Sequence, residues 1–125
     1  MPVNRDHHDA NRQRWERDAA AWSAETERRG LWKRALKDPA CVLDQRELDL
    51  LGDIRGQALA VLGSGDNEAA FAFTGMGARV TSVDISQGNL DAAARRANEA
   101  GIALDFVRAD VTDMPMLLDA TFDLV

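Results

Sequence analysis

Two groups of residues have the types and spacing to handle a ligand. The first is Gly63-Ser64-Gly65-Asp66-Asn67, which directly follows the apolar run Ala58-Leu59-Ala60-Val61-Leu62. The second is Asp84, 19 residues beyond Gly65, at the end of the run 79–83. A glycine turn at the carboxyl end of a buried parallel strand lets backbone approach a ligand without a side chain in the way. A helix after that turn presents unpaired N–H groups and a positive dipole end. A carboxylate at the tip of the next strand can accept hydrogen bonds from both hydroxyls of a ribose. Strand, glycine turn, helix, strand and acid together predict an adenosine-containing ligand.

The spacing of the turn narrows the choice. A dinucleotide fingerprint places a third glycine where this chain has Glu68, a negative charge in the path of a pyrophosphate. The spacing G-x-G-x-G is met by Gly63, Gly65 and Asn67, since asparagine tolerates the left-handed region better than other side chains. A loop carrying Asp66, with Glu68 close behind, suits ammonium and sulfonium charges better than phosphates. The ligand this predicts is S-adenosylmethionine.

Residues 57–125 resemble the amino-terminal half of a class I S-adenosylmethionine-dependent methyltransferase. Gly63-Ser64-Gly65-Asp66-Asn67 is similar to that family's first motif, Val83-Asp84-Ile85-Ser86 to its ribose-binding segment, and Arg108-Ala109-Asp110-Val111 to its adenine-binding strand end. The resemblance implies that Gly63 and Gly65 pass under the methionyl part, Asp84 holds the ribose and Ile85 packs on the adenine. It further implies that Asp110 accepts from the exocyclic amine and that the Val111 backbone reads a ring nitrogen. Where the family usually carries an acid two residues before the first glycine, this chain has Val61, and Asp66 is the substitute at hand.

The elements that must position these residues can be read from the pattern. The fold class is α/β, a Rossmann-like parallel sheet with flanking helices. It is incomplete, with three strands and, in Phe122-Asp123-Leu124-Val125, the start of a fourth, and a helical amino-terminal segment precedes it. Ser86 is a good N-cap for a helix that Gly101 ends. Leu90, Ala93, Ala94 and Ala97 give its buried face, and Arg95, Arg96 and Glu99 its wet one. Residues 104–107 form the third strand. Gly75 and Gly77 close the helix after the glycine turn. Met114 and Met116 fall in a short helical turn as gap-filling core.

Residues 1–56 are expected as a separate helical segment able to act as a lid over cofactor or substrate, and residues 57–125 as the first half of the cofactor domain. Within the segment, residues 1–9 read as a loose terminus. His7-His8-Asp9 lacks a converging ligand set, which weighs against a metal site. Residues 11–36 read as helix with a break at Gly30; Trp15, Ala19 and Trp22 share one face. Trp15, Trp22 and Trp32 can dock onto the sheet domain or shape the ligand site. Lys37-Asp38-Pro39 stops the helix, residues 44–51 resume it, and Cys41 reads as a small buried or half-buried residue rather than a nucleophile.

Composition sets the outer bounds. The 125 residues carry a net charge of −6, 46% hydrophobic and 29% charged residues. That acidity weighs against broad nucleic-acid binding and says nothing against the small-molecule methyl acceptor expected here. No stretch reads as a signal peptide or as the ~18 apolar residues of a bilayer span, so the expectation is a cytoplasmic protein. A complete domain of the resembled family has seven strands. The chain therefore reads as truncated, or as a half-domain that self-associates through an unfinished sheet edge. Two other functions stay in view: a non-catalytic cofactor-binding or interaction half-domain, and an NAD(P)-dependent oxidoreductase, for which only Asp110-Val111-Thr112-Asp113 speaks. No catalytic residue is assigned, because methyl transfer needs no protein nucleophile and the acceptor-binding half lies outside the motifs present.

Overall fold

The computed structural model describes residues 5–63, 68–110, 112 and 122–125, without the side chains of residues 5, 6, 22, 23 and 26. Three parallel strands form the sheet: β1 (Ala58–Leu62), β2 (Arg79–Asp84) and β3 (Asp105–Arg108), in that spatial order. Ala58 stands opposite Arg79 and Leu62 opposite Val83; Thr81 faces Asp105 and Asp84 faces Arg108. On the other side of β1, Leu124 makes a parallel bridge with Leu59, and Ala60 N–H donates to the Leu124 carbonyl at 3.0 Å. The segment 122–125 therefore opens a fourth strand beside β1, as its apolar pattern predicts.

The helices are α1 (Arg5–Arg29), α2 (Leu31–Ala35), α3 (Gln45–Leu51), α4 (Glu68–Gly75) and α5 (Gln87–Ala100). Local chemistry explains most of their ends. Gly30, at φ 65°, separates α1 from α2, and a 3-10 turn at Pro39–Cys41 follows. Asp44 and Glu47 form a reciprocal capping box at the start of α3. Ser86 Oγ accepts from Asn89 N–H at 3.2 Å to cap α5, and Gly101, at φ 69°, ends it.

Two apolar clusters hold these layers together. In one, Trp32 and Phe71 rings pack 5.4 Å apart, with Ala35, Leu43, Ala72 and Ala97 around them. In the other, Ile54, Leu59, Ala70, Ala78 and Val80 meet beneath β1 and β2, with Leu124 against them. Gly75 is required by space: a Cβ there would lie 2.7 Å from the carbonyl carbon of Leu36, so α2 and α4 meet backbone to backbone. Gly77, at φ 93°, makes the turn into β2.

Three sequence expectations need correction. Residues 5–9 are helical, the first turns of α1, because tertiary contacts hold them there. Arg96, expected on the wet face of α5, is only 1% exposed; its Nε donates to Glu27 Oε1 of α1 at 2.6 Å. The third strand runs one residue later than expected, over Asp105–Arg108. Among the described residues no helix is long and apolar enough to cross a membrane. The segment containing Met114 and Met116 lies outside the described residues.

Candidate functional site

Parallel strands put their carboxyl ends at one edge of the sheet, and here that edge opens on a cavity of about 290 Å³. Gly63 follows the end of β1, Asp84 and Ile85 stand at the end of β2, and Ala109 and Asp110 follow β3. Asn89 from the first turn of α5 and Thr112 line it as well. The roof comes from α1, through His8, Asn11 and Trp15. Trp15 remains 40% exposed, whereas Trp32 is buried in the core, so the tryptophans do not act as one surface. The volume is near the lower end of the ~300–1,000 Å³ typical of small-molecule sites.

Four sequence-predicted residues, Gly63, Asp84, Ile85 and Asp110, therefore share one cavity. Gly63 sits at φ 63°, and a Cβ there would touch nothing within 4 Å. Its turn is set by backbone conformation, which a side-chain-bearing residue rarely adopts. Ser64, Gly65, Asp66, Asn67 and Val111 lie outside the described residues.

Asp84 is buried at the tip of β2, and its Oδ1 accepts from Ser86 N–H at 2.8 Å. The same carboxylate thus fixes the loop into α5 and faces the cavity. Asp110 Oδ1 accepts from the Thr112 N–H at 2.8 Å and the Thr112 hydroxyl at 2.6 Å. Its Oδ2 lies 3.0 Å from His8 Nδ1. The Thr112 hydroxyl, then its N–H, then the nearby His8 charge hold the Asp110 carboxyl below its ordinary pKa. His8 is thus a partner of Asp110; among the described residues no group of three or more metal-ligating side chains occurs. Glu68, the acid at the start of α4, has Arg29 Nη1 3.9 Å away.

Helix α1 is attached to this site mainly through polar groups. Glu16 Oε1 accepts from Gln87 N–H at 2.7 Å, at the start of α5. Gly88 lets the helices come close: a Cβ there would lie 3.3 Å from Ala19 Cβ and 3.2 Å from Glu16 Oε2. Farther along, Glu27 holds the buried Arg96.

Sequence reasoning missed His8, Asn11, Asn89 and Thr112 as cavity residues. For Asn89 a signal was present. It lies four and eight residues before Ala93 and Ala97, a polar amide on an otherwise apolar stripe of α5. His8 and Asn11 carried none, since their position depends on how α1 docks.

Comparison with known proteins locates the chain. A family model described as a methyltransferase domain matches residues 60–125, more than half of the sequence. No curated protein matches. Among solved structures, the chain is similar to a putative S-adenosyl-L-methionine-dependent methyltransferase from Methanococcus maripaludis. That match has a TM-score of 0.61 and 16% identity, covering 80% of this chain and 44% of that one. It is also similar to the C-terminal domain of precorrin-6Y C5,15-methyltransferase from Rhodobacter capsulatus (TM-score 0.50, 17% identity, 59% and 40% covered). A third similar structure concerns the conversion of a disulfide bond into a thioacetal group during echinomycin biosynthesis (TM-score 0.47, 33% identity, 54% and 28% covered). The chain spans less than half the length of each of these three. The likeness to the first of these, with the three-stranded parallel sheet and its flanking helices, agrees with an incomplete Rossmann-like fold. With the family model covering the glycine turn, the strand-tip acid and the third strand end, the chain belongs to the methyltransferase-domain family, a class I S-adenosylmethionine-dependent group, and S-adenosylmethionine is the cofactor this implies.

Proposed function

We propose that this chain supplies the cofactor-holding half of a methyltransferase that acts on a small molecule by in-line methyl transfer. The observation that carries the reading is the meeting of Gly63, Asp84, Ile85 and Asp110 around one cavity at the carboxyl ends of three parallel strands. Two features of that cavity fit the adenosine part of the cofactor. Asp84 is a carboxylate at a strand tip, suited to a ribose. Asn89, 6% exposed, lines the cavity beside it.

In this reading Asp84 accepts from the ribose hydroxyls, Ile85 and Ala109 form the apolar walls of the base slot, and Asp110 with Val111 stands at its edge. Gly63, Ser64, Gly65, Asp66 and Asn67 pass beside the methionyl end, where Asp66 stands in for the acid that Val61 replaces. The bound cofactor supplies an electrophilic methyl group on a sulfonium centre. The chain's own part is to bind, orient and exclude water. Helix α1 acts as a lid, because His8, Asn11 and Trp15 all reach the cavity from it. The net charge of −6 favours a small or cationic acceptor over a polyanion. The sheet edge on the 122–125 side of β1 is the place at which a second chain could extend the sheet.

Calorimetric titration with S-adenosylhomocysteine, alongside NAD, tests the reading. Micromolar binding of the first and none of the second is the expected result. Binding of NAD alone would replace the proposal with an oxidoreductase. A folded chain, verified by circular dichroism, that bound neither would leave an interaction half-domain as the better description.

A further inference from the structure

Helix α1 touches the segment after each of the three strands, and it does so in spatial order. His8 Nδ1 lies 3.0 Å from Asp110, which follows β3. Glu16 Oε1 accepts from the N–H of Gln87, just after β2, at 2.7 Å. Arg29 Nη1 comes within 3.9 Å of Glu68, at the start of α4, the helix that follows β1. The amino end of α1 therefore lies over the tip of β3, and its course runs toward β1. The ligand proposed above runs the same way, with adenine at Asp110, ribose at Asp84 and the methionyl end at Gly63.

His8, Asn11 and Trp15, three and four residues apart, fall on one face of α1 and all line the cavity. At a rise of about 1.5 Å per residue, Trp15 stands roughly 10 Å beyond His8 along the helix. That is past the base and level with the ribose, since its neighbour Glu16 already meets the segment after β2. In S-adenosylmethionine one carbon separates the ribose ring from the sulfonium sulfur, so an indole at this level is within reach of the charge. Packing leaves that indole open. Trp32 is buried, packs on Phe71 and has Lys33 Nζ 5.2 Å from its ring centroid. Trp15 is 40% exposed and, among the described residues, has no ring or cation against it. An indole face attracts a cation, and more strongly once water is excluded.

We infer that Trp15 is a specificity-determining residue: its indole packs on the sulfonium of S-adenosylmethionine and distinguishes the charged cofactor from the neutral product, S-adenosylhomocysteine. The inference rests on the ligand reading above and adds to it a means of recognising charge. Once the acceptor's lone pair has taken the methyl group, the C–S electron pair stays on sulfur and the positive charge is gone. The attraction to the ring goes with it. The product then holds α1 less firmly than the cofactor does, which favours release after each transfer.

Calorimetry on the full chain tests this with both ligands against the unmodified protein, Trp15→Leu and Trp15→Phe, each checked for fold by circular dichroism. The ratio of the two dissociation constants is the readout, because lost packing area weakens both ligands and cancels in it. In Trp15→Leu, S-adenosylmethionine should lose about five- to thirtyfold more affinity than S-adenosylhomocysteine, as expected for a partly desolvated cation–π contact. Trp15→Phe, which keeps a ring face, should restore most of the ratio. If Trp15→Leu does not fold, Trp15→Ala carries the same prediction. A ratio unchanged in Trp15→Leu, or a Trp15→Phe variant no better than it, would overturn the inference, while binding of S-adenosylhomocysteine kept the ligand reading intact. An unmodified chain that bound neither ligand would overturn both together.

Discussion

His8 Nδ1 lies 3.0 Å from Asp110 Oδ2, joining the first turns of α1 to the end of β3. The pair crosses the whole chain to do so, and both side chains are partly exposed, which limits its worth to under ~1 kcal/mol. His8→Ala should therefore lower global stability only slightly. Amide hydrogen exchange in residues 7–15 should nonetheless speed up, because the terminal turns lose their anchor. Unchanged exchange there would mean that Glu16 and Glu27 alone hold α1.

Asp84 accepts from the Ser86 N–H and is the proposed acceptor for the ribose. Asp84→Asn keeps an oxygen for the turn but removes the charge. It is expected to weaken S-adenosylhomocysteine binding by ~1–3 kcal/mol, the range for a lost hydrogen bond to a charged group. Melting should change little. Should affinity stay at the unmodified value, Asp84 belongs to the turn alone.

Gly75 permits the backbone contact between α2 and α4. Gly75→Ala forces a methyl group against Leu36 and should cost ~1–3 kcal/mol through overpacking, although alanine is the better helix former. Urea unfolding decides the sign. A stabilised variant would show that α2 can shift without loss.

Arg96 is buried and its Nε donates to Glu27. Glu27→Ala should destabilise by ~1–3 kcal/mol, since removing a charged partner from a buried donor costs more than an exposed pair. A loss within measurement error would place the compensation for Arg96 elsewhere in the core.

Acid should act on two carboxyls. The Arg55 side chain, its N–H and its charge hold Asp53 down to about 2 from 3.8. Thr112, with His8 behind it, holds Asp110 below the same value. Both folded-state pKa values lie below the unfolded one. Each group's contribution is therefore complete above about pH 4 and lost as pH falls through the folded value. A carboxyl titration followed by NMR should find the Asp53 midpoint near 2 and move it upward in Arg55→Ala. A midpoint unmoved by that change would reject the Arg55 contacts in solution.

The parts of this structure that depend on local chemistry were legible in the sequence. Ala58–Leu62 could be bounded because a short apolar run meets a glycine. Ser86 and Gly101 marked both ends of α5 because a hydroxyl cap and a left-handed residue leave recognisable signatures. The strand-tip acid Asp84 followed from its distance to the glycine turn. What depends on docking between remote elements was not legible. Arg96 looks like any surface arginine until Glu27, 69 residues earlier, comes within reach. Residues 5–9 look like a free terminus until His8 finds Asp110. Asn89 stood in between: its helical phase was readable, but its place in the cavity wall was not.

The parallel bridge between Leu59 and Leu124 has a consequence for folding order. Those residues are 65 apart, whereas β1 meets β2 across 21 residues, Ala58 to Arg79. Longer closure costs more entropy and tends to come later. The first strand should accordingly acquire its β2 neighbour in the rate-limiting step and its Leu124 neighbour afterwards. Leu124→Ala should then speed unfolding and leave the refolding rate nearly unchanged.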